Sequence, residues 1–130
     1  MKALLPPGWP RPRGYSNGIS AKGRLIVTGG VVGWNAQEVF VSDDLAGQFR
    51  QILLNTLAIL AEDDAGPEHI VRMTWYVTDI AAYRAGLKEI GAAYKELIGR
   101  NFPAMAVVGV SALVEPQALI EIETTAVVPE

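Results

Sequence analysis

The run Ala104-Met105-Ala106-Val107-Val108-Gly109-Val110 has no polar side chain on either face of a strand. Alternate residues of a strand point to opposite faces of its sheet, so a segment of this kind needs cover on both sides. The rest of the chain supplies limited cover. One helix is predicted after Ser42-Asp43-Asp44, which provides an N-cap and negative charge, and Leu45, Phe49, Ile52, Leu53, Leu57 and Leu60 recur along it at helical steps. Gly66 as a C-cap and Pro67 close it. A second helix is predicted from about Ile80 to Ile98, with Tyr83, Leu87, Ile90, Tyr94 and Leu97 on one face. Its interior glycines, Gly86 and Gly91, point to close helix-to-sheet packing. Two helices cover one sheet face, and self-association is the simplest cover for the other.

The strands follow from β-branched runs and their punctuation. Tyr15 to Ala21 and Arg24 to Thr28 flank Lys22-Gly23 and read as a β-hairpin, with Leu25-Ile26-Val27 suited to burial. Gly29 and Gly30 then interrupt the strand, as a bulge or as a place where another group meets the backbone. A short run follows over Glu38 to Val41, a strand covers Ile70 to Val77, and Ala104 to Leu113 and Ala118 to Val128 complete the set. The expected fold is α+β: a six-stranded, mostly antiparallel sheet with two helices on one face.

A chain of 130 residues, half of them hydrophobic, fits a single domain over 1–130. Pro6, Pro7, Pro10 and Pro12 make residues 1–14 an extended N-terminal arm. The absence of cysteine removes thiolate catalysis and Cys-ligated zinc, and with one histidine no metal site is expected. A net charge of −3, with only 11 Lys and Arg spread along the chain, disfavours a nucleic-acid partner. No apolar run is long enough to span a membrane, and Pro6-Pro7 ends the apolar start too early for a signal peptide. The expected location is the cytoplasm. No Gly-rich phosphate loop is present, and no cofactor is expected.

Tyr15-Ser16, Leu25-Ile26-Val27-Thr28-Gly29, Gln48, Gln51 and Leu54-Asn55, and Ala65-Gly66 are followed by Val71 to Asp79, Phe102-Pro103-Ala104 and Ile120-Glu121-Ile122-Glu123. In this order, spanning nearly the whole chain, these segments resemble the Rid family, also called the YjgF family of reactive-intermediate deaminases and often labelled endoribonuclease L-PSP. The resemblance implies a chorismate-mutase-like fold and a homotrimer with ligand clefts between subunits. It also implies an arginine after Pro-Ala that pairs with a substrate carboxylate, and a glutamate on the last strand that helps water attack an imine carbon. Glu121 stands at the glutamate position. The arginine position holds Met105, which can contact an apolar group but cannot pair with an anion.

The resemblance therefore implies a divergent deaminase or hydrolase acting on a small enamine, imine or related metabolite, with Glu121 catalytic, and not a typical 2-imino-acid deaminase. Tyr15, Gly29, Gly30, Trp34, Lys88 and Met105 are the candidate substrate-binding residues. Lys88, near the family's asparagine position, is a candidate substitute cation, as are Arg11 and Arg13 in the arm. Each has a plainer role: packing for Tyr15 and Met105, an interface anchor for Trp34, a bulge for the glycines and a solvated face for Lys88 and Glu121. His69 reads as a surface residue at a strand start. The alternative to an enzyme is a noncatalytic trimer of the same fold that binds a small metabolite or a partner protein.

Overall fold

The structure, a computed structural model, describes residues 1–130. Its elements in chain order are β1 (Lys2–Ala3), β2 (Ile19–Ser20), β3 (Arg24–Val27), β4 (Val31–Val32), α1 (Leu45–Ala61), β5 (Ile70–Val77), α2 (Ile80–Ala85), α3 (Leu87–Leu97), β6 (Ala104–Gly109) and β7 (Ile120–Val128). The α+β class holds, but the sheet differs from the expected six-stranded one. Five strands form it, in the order β3-β7-β5-β6 with β4 also on β7, and β1 and β2 make a separate two-stranded ribbon. The sheet is mixed: β6 runs parallel to β5, whereas β7 is antiparallel to β3, β4 and β5. A parallel pair needs a long crossover, and α2 and α3 supply it.

The Lys22-Gly23 hairpin does not form, because β2 pairs with β1 and β3 pairs with β7. Gly23 is required for another reason. Its φ is 150°, and a Cβ there would run into the Val128 carbonyl at the end of β7. Farther along, Val27 pairs with Thr125, Thr28 N–H donates to Thr124 O at 2.9 Å, and Val31 pairs with Ile122. Gly29 and Gly30 are thus left opposite the single residue Glu123, which makes a bulge.

Helix α1 starts where the sequence places it, with Asp44 Oδ1 accepting from the Gly47 N–H at 2.6 Å. Its apolar stripe buries Phe49, Ile52, Leu53 and Leu60 completely. It ends without using Gly66: Asp64 takes the left-handed conformation at φ 57°, and Gly66 precedes a 3₁₀ turn over Pro67–His69. The expected second helix is broken at Gly86, whose N–H donates to both Ala82 O and Tyr83 O before α3 begins. Gly91 does not mark tight packing, since a Cβ on it would meet nothing within 4 Å.

The core lies between the helices and one sheet face, where Met73, Trp75 and Val77 of β5 and Ile120 and Ile122 of β7 are buried against α1 and α3. The other face has no cover. Ile26 packs against the core, but Leu25 and Val27 are 65% and 64% exposed, contrary to a fully buried β3. Val108 of β6 is exposed as well.

Candidate functional site

The start of β6 is locked to the N-terminal arm. Ser16 N–H donates to Pro103 O at 2.9 Å, and Ser16 Oγ donates to Phe102 O at 2.5 Å. These bonds, with a parallel bridge from Ser16 to Ala104, bring Tyr15 alongside the strand that carries Met105. Met105 pairs with Met73, and Met73 with Thr124. Residues paired across a sheet share a face, so Met105 and Val107 lie on the helix side with Met73 and Trp75.

There they line a cavity of about 680 Å³, open at the surface. Helix α3 and the end of α2 form one wall through Tyr83, Leu87, Ile90, Gly91 and Tyr94. Phe102 and Tyr15 lie on the side of the arm, with the Phe102 ring stacked on Tyr94 at 6.4 Å between centroids. Trp75 meets Tyr83 edge-on at 6.2 Å, and its buried indole N–H has no acceptor within the chain. Tyr94 OH donates to Asn101 O, and burial raises its phenol well above the usual tyrosine range. Arg13, Lys95 and Arg100 complete the lining.

Three of the nine sequence candidates, Arg13, Tyr15 and Met105, therefore share this cavity. Lys88 is exposed and is not among the lining residues, although Leu87 and Gly91 on the same helix are. A step of one residue turns a helix by about 100°, which is enough to move the ammonium off that face. Trp34 lies on a loop between β4 and α1, its ring tilted against Phe40 at 5.7 Å. Asn55 fixes that loop by donating to Trp34 O at 2.7 Å.

Glu121 lies elsewhere. It pairs with Tyr76 and with Val32, which puts it with Glu123 on the sheet face opposite the cavity. Its carboxylate sits over Gly30, where any side chain would collide with it. Tyr76 OH donates to Glu123 at 2.6 Å, and that bond holds the phenol above its ordinary range. Gly29, Gly30 and Glu121 thus form a second cluster that one chain does not join to Met105. His69 is partly buried and accepts from the Gly66 N–H at 3.0 Å through Nδ1, a local structural role.

Sequence reasoning missed Lys95, Arg100, Gly91 and the aromatic walls of the cavity. The available signal was the stripe of Tyr83, Leu87, Ile90 and Tyr94, which reads as core. Leu87 is nevertheless 50% exposed, because part of that stripe faces the cavity and not the sheet.

A family model described as endoribonuclease L-PSP matches residues 10–128. A RutC family protein of Aquifex aeolicus is 34% identical over 128 residues, covering 98% of this chain and 99% of that protein. Another from Haemophilus influenzae is 34% identical over 105 residues, covering 81% and 80%. Among solved structures, the Rid protein YyfB of Yersinia pestis, described as of unknown function, has a TM-score of 0.82 at 34% identity, with 98% of each chain covered. No helix of the chain is long and apolar enough to cross a membrane.

Proposed function

The chain belongs to the endoribonuclease L-PSP family, the Rid or YjgF family, whose membership supports a general deaminase or small-molecule-binding role, and on that premise we propose a divergent deaminase. Its substrate is a small enamine, imine or related metabolite bound at a cleft between copies of the chain. It is not a typical 2-imino-acid deaminase. One observation carries this reading: Met105 lines the cavity where the resemblance implies an arginine, so that the floor offers a thioether instead of a guanidinium.

The proposed chemistry is addition of water to the C=N carbon, giving a carbinolamine, followed by loss of ammonia to leave a carbonyl. Glu121 takes a proton from the attacking water and gives it to the imine nitrogen, then takes the carbinolamine hydroxyl proton and gives it to the departing amine, so that both water protons leave on ammonia and no cofactor is consumed. Tyr15 and Met105 shape the pocket, while Gly29, Gly30 and Trp34 form its far side. Within one chain Glu121 and Met105 lie on opposite sheet faces, so a complete site requires a second copy. A homotrimer would supply it, and would also cover the exposed Leu25, Val27 and Val108. We take 1–130 as one domain with residues 1–14 as its arm, working in the cytoplasm.

The separation of Glu121 from the cavity also favours a second reading, a noncatalytic trimer that binds a small metabolite. Glu121→Gln decides between them. The enzyme reading expects loss of ammonia release with ligand affinity kept within a few fold, and turnover unaffected by this substitution would refute it. Sedimentation tests the trimer, and a monomer would leave Glu121 and Met105 apart.

A further inference from the structure

The cavity's charge is as informative as its walls. Three of the chain's eleven cations line it, Arg13, Lys95 and Arg100, and none of its fourteen carboxylates does. All three cations are exposed, and none is within ion-pair distance of an acid. Elsewhere Arg24 pairs with Asp63 and Arg50 with Glu96 at 2.6 Å, while Arg11, Arg72 and Arg84 are unpaired but lie apart from this cavity. The second pair occupies the carboxylate next to Lys95 in sequence. Gly99, at φ 74°, ends α3 and turns the chain so that Arg100 joins the lining. In a chain of net charge −3, three unpaired cations on one cavity concentrate a positive field where an anion would enter.

The interior is the opposite in character. Five aromatic side chains, Tyr15, Trp75, Tyr83, Tyr94 and Phe102, and the apolar Leu87, Met105 and Val107 surround a volume suited to a ring or extended chain. A three-carbon oxo acid would leave most of that space unfilled and would find no cation at Met105.

We propose that this cavity binds monocarboxylates with an extended apolar or aromatic body. The body lies inward against Met105, and the carboxylate lies at the mouth against Arg13, Lys95 and Arg100. This rests on the reading of the cavity as the ligand site, and it requires no turnover by Glu121.

The test is calorimetric titration of the full chain with 4-phenylbutyrate, butyrate, 4-phenylbutanol and 4-phenylbutylamine. The expected order is 4-phenylbutyrate at least about tenfold tighter than butyrate or the alcohol, with the amine weakest. The double variant Arg13→Ala/Arg100→Ala should weaken 4-phenylbutyrate about tenfold or more and leave the alcohol unchanged. Gly91→Leu, whose side chain enters open space on the cavity wall, should abolish binding without lowering Tm. Equal binding of butyrate and 4-phenylbutyrate overturns the inference, as does indifference to loss of both arginines. If 4-phenylbutyrate binds in this order while no imine is hydrolysed, the deaminase reading falls and this one stands. If a neutral imine is hydrolysed with dependence on Glu121 while no carboxylate binds, the reverse holds.

Discussion

Gly91 offers a case in which the expected effect on stability runs against the expected effect on binding. It sits within α3 (Leu87–Leu97), its φ is not positive, and a Cβ added to it would meet nothing within 4 Å. Gly91→Ala therefore introduces no clash and restricts the unfolded chain, a gain of about 0.5–1 kcal/mol for a glycine in a helix interior. For a two-state domain of 130 residues a gain of that size raises Tm by about 2–4 °C. Urea denaturation measures it, with the midpoint raised and the m-value unchanged. Gly33→Ala is the internal control. Its Cβ would lie 2.7 Å from Gln48 O and 2.8 Å from Gln48 Cα, so the backbone must move, at a cost of roughly 1–3 kcal/mol. A loss of stability in Gly91→Ala, or no loss in Gly33→Ala, would refute the placement of α3 as an open wall and of α1 as a tight one.

Two further expectations concern buried polar groups. Burial raises the Tyr94 phenol above its ordinary pKa, so the folded state keeps its proton where the unfolded state releases it. That contribution is complete below about pH 10 and is lost as pH rises beyond it; Tyr94→Phe should flatten the alkaline limb of a stability-against-pH curve, and an unchanged limb would contradict the assignment. Gln48 is buried on α1, donating to Ser42 O at 3.2 Å and Gln117 O at 2.9 Å and accepting from Leu119 N–H at 2.8 Å. Gln48→Ala should cost roughly 1–3 kcal/mol and raise hydrogen exchange in the loop before β7, and a variant as stable as wild type would show that water replaces all three bonds.

The parts of the fold legible in the sequence are those set by local pattern. The α1 stripe and its Asp44 cap reach the structure unchanged because helical periodicity and capping are decided within a few residues. Strand partnership is not decided that way. The doubly apolar run beginning at Ala104 signals a strand that wants cover on both faces, but nothing in it says that β6 runs parallel to β5. Lys22-Gly23 has the composition of a tight turn, yet Gly23 is there because the end of β7 passes against it. The cavity was half legible. Tyr15 and Met105 follow from the resemblance and Arg13 from the search for a substitute cation, whereas Lys95 and Arg100 look like ordinary solvated charges until the turn after α3 brings them beside an apolar space. Lys88 lies one residue from the lining Leu87, and a single step along a helix is enough to put it off the cavity face.

On the proposed function, Met105 in place of a guanidinium removes 2-imino-acid hydrolysis while leaving the scaffold intact. Ammonia release from 2-iminopropionate, generated in situ by an amino-acid oxidase, measures it directly when wild type, Met105→Arg and a protein-free blank are compared. The expected result is wild type at the level of the blank and Met105→Arg clearly above it, with that gain abolished by adding Glu121→Gln. Wild type that already accelerates the hydrolysis would contradict the claim, because another cation would then be doing the work assigned to the missing arginine.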